Sequence, residues 1–256
     1  MDLRKSKYII PNLFTLTSAF LGLMAILWAA SGTDLNMKKA AIAIVIAMVA
    51  DMMDGRVARL TKTESSFGVQ MDSLADAISF GVAPAAVAYL YGLDKIIWHG
   101  TPVGLIAVFI YMATGVMRLA RFNITAEKQK TPSRHFEGLP IPGGAAVVAT
   151  LLWVSSDLGI SRPAISLILA VMMPLIGMLM ISRIKYISLK HVKWGWSTRA
   201  LAMLLATTLV LLAVITKTSF VLLSISVLYA FFCPILNGFQ FVRERREELK
   251  SREDND

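Results

Sequence analysis

Residues 51–59 read DMMDGRVAR and residues 68–76 read GVQMDSLAD, so four carboxylates lie in segments that are otherwise largely apolar. Carboxylates three or four residues apart share one face of a helix, and each segment therefore presents an acidic pair. Ionisable groups are costly inside a membrane and mark functional sites there. Two acidic pairs that face each other predict a metal site whose ligands are Asp51, Asp54, Asp72 and Asp76.

The sequence around these segments is built for a lipid environment. The chain has 256 residues, of which 56% are hydrophobic and only 17% are charged, and its mean hydropathy is +0.63. A helix needs about 20 apolar residues to cross a hydrocarbon core of roughly 30 Å. On this basis we predict an all-α, polytopic membrane bundle of about eight helices, at residues 8–33, 37–59, 68–93, 96–117, 138–156, 163–182, 200–216 and 218–242.

The net charge of +9 is explained by membrane topology. If the N-terminus is cytoplasmic and the eight helices alternate in direction, 21 Lys and Arg residues lie on the cytoplasmic side and 5 on the outer side. This asymmetry follows the positive-inside rule, and a nucleic-acid partner is not needed. We expect a multi-pass protein of a prokaryotic inner membrane, with both termini and the active site facing the cytoplasm.

The residue types of the acidic site favour a hard cation. Oxygen ligands without nearby His or Cys suit Mg²⁺ or Mn²⁺, with Ca²⁺ possible, rather than zinc. Such ions commonly accompany phosphate substrates. Gly55 and Ala58 leave the helix surface bare for a ligand, and Arg59 is placed to hold a phosphate oxygen. The alternative is structural: the acids pair with Arg56 and Arg59 and lock two helices together.

The full spacing, Asp-x2-Asp-Gly-x2-Ala-Arg-x8-Gly-x3-Asp-x3-Asp over residues 51–76, resembles the signature of the CDP-alcohol phosphotransferase family without a departure. The resemblance implies two divalent cations held by the four aspartates, with Asp76 also acting as the general base. The family core would cover roughly residues 8–200, and we expect a catalytic domain at residues 1–200. Hydropathy and charge add two further helices at 201–242 and a charged tail at 243–256. The residues expected to hold the CDP-alcohol are Asn12, Thr15, Gly55, Ala58, Arg59, Ser65 and Gly68.

A second segment bears on the acceptor alcohol. Arg118-Leu-Ala-Arg121-Phe-Asn123, followed by the turn-forming residues 136–144, resembles the branch of the family that uses serine. Guanidinium groups suit the carboxylate of an amino acid, so Arg118, Arg121 and Asn123 are predicted to bind it. Glycerol 3-phosphate and inositol phosphate would also attract cations and remain alternatives. Family members are often dimers, and we expect a homodimer embedded in membrane lipid.

The expected reaction is the transfer of a phosphatidyl group from CDP-diacylglycerol to L-serine, with release of CMP. A covalent phosphohistidine route is disfavoured, because His191-Val-Lys193 is followed by Thr198 where that motif requires Asp, and no second copy is present. A cation-coupled transporter would need acids near the middle of the membrane and a polar path to the outer side. The carboxylates here crowd toward the cytoplasmic ends of their helices, which favours the enzyme.

Overall fold

The computed structural model describes residues 9–61, 65–128, 135–187 and 218–231. Most of these residues are helical, and two short strands pair with each other. The helices are α1 (Ile9–Ala30), α2 (Asp34–Thr61), α3 (Ser66–Tyr91), α4 (Val103–Lys128), α5 (Ile141–Leu158), α6 (Arg162–Ile181) and α7 (Thr218–Phe231), and the strands are β1 (His135–Glu137) and β2 (Lys185–Ile187).

The helical membrane bundle predicted from the sequence is confirmed. Within the described ranges, α1, α3, α4, α5 and α6 are long and apolar enough to cross a membrane. The charged residues of α2 lower its hydropathy, although it has 28 residues and packs against α1 and α5. The predicted helix at 200–216 lies outside the described residues, and α7 is described only as far as Phe231, so the expected number of eight spans is not confirmed.

Small residues let the first two helices approach closely. Ala25 and Ala29 of α1 and Ala40, Ala43 and Ala47 of α2 are almost completely buried. Small side chains allow this kind of close packing within a membrane, where the hydrophobic effect does not drive helices together. Large apolar side chains cover the outward face of α1, as expected for contact with lipid: Leu13, Leu16, Phe20, Leu23 and Leu27.

Helix α3 is not a uniform helix. It is α-helical over Ser66–Asp76, π-helical over Ala77–Val82 and α-helical again over Ala83–Tyr91. The sequence predicts a single regular helix over residues 68–93, and the structure departs from it at this wider turn. The departure lies directly after Asp76, so the shape of the helix and the position of the acidic cluster are linked.

Two short strands pair with each other outside the helices. β1 and β2 are antiparallel, with His135 opposite Ile187 and Glu137 opposite Lys185. The pairing joins the connection that follows α4 to the segment that follows α6. Gly138 follows β1 with a φ of 77°. Glycine is needed there, because a Cβ would also clash with the carbonyl of Met180. The prolines and glycines expected to form a turn therefore follow a short strand.

Candidate active site

Helices α2 and α3 bring three of the predicted ligands together. Asp51, Asp72 and Asp76 each offer a carboxylate oxygen, and these oxygens lie within 4.8 Å of one another. The arrangement follows from helical periodicity, since Asp72 and Asp76 are one turn apart on α3. All three side chains are partly buried.

Asp54 lies beside this group and makes a different contact. It is 6% exposed, and its Oδ2 accepts a hydrogen bond of 2.7 Å from the hydroxyl of Thr15 on α1. Its charge acts on Asp76, as do the charges of Asp51 and Asp72. The structure therefore gathers all four predicted aspartates, of which three have oxygens within a single cluster and the fourth is held by α1.

The cluster fits a divalent cation. Carboxylates this close repel one another strongly in a medium of low dielectric constant, and oxygen ligands suit Mg²⁺, Mn²⁺ or Ca²⁺. Among the residues that the structure describes, none forms a hydrogen bond with the buried Oδ1 of Asp76. A buried, unpartnered acceptor is costly, and a bound cation would remove that cost.

Arg118 of α4 is the buried cation next to the acids. Its side chain is 7% exposed, and its charge interacts with that of Asp76 and with the hydroxyl end of Tyr229 on α7. Its Nε finds no hydrogen-bond acceptor in the described part of the chain. Arg118 therefore has donor capacity free at the edge of the carboxylate cluster.

Arg121 and Asn123 are engaged elsewhere. The Nη1 of Arg121 donates to the carbonyl of Ile181 at 3.0 Å, and its Nη2 donates to the carbonyls of Glu137 at 3.1 Å and Ser182 at 3.3 Å. Asn123 donates from Nδ2 to the hydroxyl of Ser73 on α3 at 3.0 Å. These contacts hold the end of α4 in place. Of the three predicted acceptor residues, Arg118 is the one whose charge is shown to interact with an aspartate of the cluster.

The residues predicted to hold the CDP-alcohol form two neighbouring groups. Ser65 caps α3, because its Oγ accepts a hydrogen bond of 3.0 Å from the N–H of Gly68. The side chain of Asn12 reaches the same place, since a Cβ on Gly68 would lie 3.9 Å from its Oδ1 and 3.2 Å from the Ser65 hydroxyl. Together these three residues surround a helix N-terminus, where backbone N–H groups favour phosphate.

The second group lies on α2. A Cβ on Gly55 would meet no described atom within 4 Å, so space is open above the backbone there. Ala58 is half-buried three residues further on. Thr15 lies next to this surface through its hydrogen bond to Asp54. The side chain of Arg59 lies outside the described part of the structure, and its predicted phosphate contact stays a prediction.

Two residues near the site were not singled out from the sequence. Ser73 follows Asp72 and ties α3 to Asn123 of α4. Tyr229 packs its ring against Tyr186 with centroids 5.8 Å apart, which brings α7 to the strands and to Arg118. Tyr229 lies in a mainly apolar helix. A polar hydroxyl in such a helix is the one feature of the sequence that could have indicated a role for Tyr229.

The sequence profile of the CDP-alcohol phosphatidyltransferase family matches residues 8–176. The chain belongs to this family. The match covers α1–α5, most of α6 and the whole acidic motif, and it ends before β2 and α7. The signature read from residues 51–76 is thus confirmed as a family resemblance.

Individual members of the family are also similar to the chain. A protein of Helicobacter pylori (strain 26695) is 38% identical over 188 residues, which are 73% of this chain and 76% of that protein. One from Mycobacterium leprae is 39% identical over 180 residues, 69% of this chain and 57% of that protein. One from Methanocaldococcus jannaschii is 42% identical over 143 residues, 56% of this chain and 61% of that protein. All three are named CDP-diacylglycerol–serine O-phosphatidyltransferase.

Proposed function

We propose that this protein is a membrane enzyme that transfers a phosphatidyl group from CDP-diacylglycerol to L-serine, giving phosphatidylserine and CMP. The observation that carries the proposal is the cluster of Asp51, Asp72 and Asp76, whose oxygens lie within 4.8 Å of one another. It is built by the motif that defines the family. The names of the similar proteins from three organisms support serine as the acceptor.

The donor site is proposed to lie where α1, α2 and the start of α3 meet. Asn12, Ser65 and Gly68 offer the N-terminus of α3 to a phosphate group. Gly55 and Ala58 leave space over α2 for the nucleotide, and Arg59 is proposed to bind a phosphate oxygen. Because the bundle lies in lipid, the acyl chains of the donor can remain in the membrane while its head group reaches the acids.

The aspartates are proposed to hold two divalent cations, Mg²⁺ or Mn²⁺. When bound, such ions neutralise negative charge on a pyrophosphate and so assist the departure of CMP. The protein's part is to keep four carboxylates in place, and Thr15 does this for Asp54 through its 2.7 Å hydrogen bond.

Asp76 is proposed as the general base. A hydroxyl group is a weak nucleophile at neutral pH, and a carboxylate within hydrogen-bond reach activates it by taking its proton. The unpartnered Oδ1 of Asp76 is available for that contact among the described residues. The serine oxygen then forms a bond to the phosphorus of the donor, the bond between that phosphorus and the oxygen of CMP breaks, and Asp76 retains the proton.

The acceptor site is proposed to centre on Arg118. A guanidinium beside the cluster can pair with the carboxylate of serine, and the Nε of Arg118 has no hydrogen-bond partner within the described ranges. Arg121 and Asn123 support this site by fixing the end of α4 against α6, β1 and α3.

Several wider features are also proposed. The charge asymmetry supports a cytoplasmic site with both termini inside, in the inner membrane of a prokaryotic cell. The catalytic domain is proposed to span residues 1–200, followed by two helices at 201–242 and a charged tail at 243–256. We also propose a homodimer, which sedimentation of the detergent-solubilised protein would test.

The deciding experiment measures CMP release by the purified protein from CDP-diacylglycerol with Mn²⁺ or Mg²⁺. Serine, glycerol 3-phosphate and inositol phosphate are offered separately, and the lipid product is identified. We expect release with serine alone, together with the appearance of phosphatidylserine. Release with another alcohol and not with serine would overturn the acceptor assignment and leave the donor chemistry in place.

A further inference from the structure

The π-helical turn of α3 has a cause that can be read from the sequence. Pro84 lies inside the helix, and proline has no N–H and crowds the carbonyl four residues earlier. That carbonyl belongs to Phe80, which loses the donor that an α-helix would provide. The helix widens over Ala77–Val82, where the N–H of Ala83 bonds to the carbonyl of Ile78, five residues away.

A side chain from another helix supplies the donor that Pro84 cannot. The hydroxyl of Tyr111 on α4 donates to the carbonyl of Phe80 at 2.8 Å. Tyr111 is completely buried, and Phe80 is as well. Since a buried carbonyl without a partner is costly, this hydrogen bond stabilises the wide turn against relaxation toward a regular helix.

Helix α1 holds the same turn from the other side. Ser18 donates to the hydroxyl of Ser79 at 3.2 Å, and a Cβ on Gly22 would lie only 2.9 Å from the Cα of Ser79. The backbone of α3 is therefore packed between α1 and α4 at the π turn. A change in the turn cannot be absorbed at Ser79 and must be taken up at its ends.

One end of the turn carries the proposed base. Asp76 directly precedes Ala77, the first residue of the π turn. No described donor reaches its Oδ1, and the hydrogen bond given for its side chain lies within the acidic cluster, to Asp51, so the backbone of α3 sets where Asp76 enters the cluster. The geometry points to Tyr111 as a positioning residue: through the carbonyl of Phe80 it fixes the π turn that places Asp76 against Asp51 and Asp72.

This inference rests on the proposed function, since it assigns Asp76 a role in turnover. Tyr111 is assigned no contact with either substrate and acts only through α3. Displacing a reacting group by about 1 Å can lower a rate about a hundredfold. The effect should fall on kcat, because the proposed donor and acceptor contacts lie on other residues.

The test compares two tyrosines that each lose one buried hydrogen bond. Tyr111→Phe removes the hydroxyl from the Phe80 carbonyl, whereas Tyr91→Phe removes the hydroxyl that lies 3.0 Å from the Oγ of Ser155 at the far end of α3. Tyr91 is 3% exposed, so the two changes are matched in burial. We expect Tyr111→Phe to lower kcat roughly tenfold to a hundredfold with both KM values unchanged, and Tyr91→Phe to leave kcat unchanged.

A second variant tests the cause of the turn. Pro84→Ala returns an N–H to residue 84, which can then bond to the Phe80 carbonyl and favour a regular helix. We expect Pro84→Ala alone to lower kcat, and Tyr111→Phe to add less than about twofold in that background, because the two changes act on one hydrogen bond. Additive losses would overturn the proposed link between Pro84 and Tyr111.

Binding of Mn²⁺ alone, followed by electron paramagnetic resonance, gives a readout without turnover. Changing a residue that supports a metal ligand typically weakens metal affinity about 10- to 100-fold, and we expect Tyr111→Phe to do so while Tyr91→Phe does not. Equal effects of the two variants on Mn²⁺ affinity and kcat would overturn the inference. If the unaltered protein fails to use serine, the proposed acceptor is wrong, and the Mn²⁺ comparison still decides the role of Tyr111.

Discussion

The two ends of the bundle differ in how their charged side chains are arranged. At the ion-pair end, which comprises Asp34, Lys38, Asp157 and Arg162, opposite charges meet directly. Lys38 contacts Asp157 at 2.6 Å and Arg162 contacts Asp34 at 2.5 Å. At the carboxylate end, which comprises Asp51, Asp54, Asp72, Asp76 and Arg118, four carboxylates are crowded together beside one buried guanidinium. The first arrangement stabilises the fold by itself, whereas the second requires a ligand.

Hydrogen bonding shows the same difference. Asp157 also accepts from the hydroxyl of Ser219 on α7 at 2.6 Å, and Arg162 donates to the carbonyl of Gly32 at 2.8 Å. At the carboxylate end, the Oδ1 of Asp76 and the Nε of Arg118 have no partner in the described part of the chain. Unpaired buried groups cost about 1–3 kcal/mol each, and at the carboxylate end a substrate or an ion can complete the bonding.

The largest effect is expected when one of the crowded carboxylates is removed. Asp72→Asn or Asp51→Asn removes an oxygen ligand that carries charge, so we expect CMP release to fall below detection. In the absence of divalent cations, the melting temperature should stay level or rise, because like-charge repulsion is relieved. Heating the detergent-solubilised variants with and without Mn²⁺ measures both effects. Normal turnover by either variant would rule out the proposed metal site.

Asp76→Asn separates binding from chemistry within the same cluster. General-base catalysis typically contributes 10²–10⁴-fold, and we expect kcat to fall by about that factor because the amide cannot accept the proton. CDP-diacylglycerol should still bind, since its proposed contacts lie on α1, α2 and the start of α3. Equilibrium binding of labelled donor beside CMP release checks this. A variant with full activity would show that another group takes the proton.

The two arginines of α4 test where the acceptor meets the protein. Charge-assisted hydrogen bonds contribute about 1.5–3 kcal/mol, so Arg118→Ala should raise the KM for serine roughly 10- to 100-fold with little change in that for CDP-diacylglycerol. Arg121→Ala is the matched control. It removes three bonds to backbone carbonyls and should lower thermal stability more than it alters the KM for serine. The reverse outcome would place serine at Arg121.

Arg118 and Arg121 also show which parts of the site can be predicted from the sequence. The acidic cluster was predictable because its spacing is local: residues three or four apart on a helix share a face wherever the helix packs. Arg118 and Arg121 are also three apart, yet their partners differ, since the charge of Arg118 interacts with that of Asp76. Arg121 donates hydrogen bonds to the carbonyls of Glu137, Ile181 and Ser182. The position of these carbonyls depends on the pairing of β1 with β2.

Two other features could not be predicted from the sequence, because they also depend on contacts between segments that are distant along the chain. The pairing of residues 135–137 with 185–187 joins segments nearly fifty positions apart, and three-residue strands carry too little periodicity to be recognised. The hydrogen bond between Tyr111 and the carbonyl of Phe80 spans 31 positions. Pro84 was the one local signal for it, because proline inside a helix requires the freed carbonyl to find another donor.

The smallest expected effect comes from the ion-pair end. Asp157→Asn leaves Lys38 without its counter-charge and weakens the bond from Ser219 that docks α7. Lys38 is partly exposed, so we expect a loss of only about 1 kcal/mol in the free energy of unfolding, which lowers the melting temperature by about 2–4 °C. The kcat and both KM values should not change, because the substrates are proposed to bind at the other end. A loss of kcat without a loss of stability would show that the two ends are coupled through the bundle, and the separation between a structural and a functional end would fail.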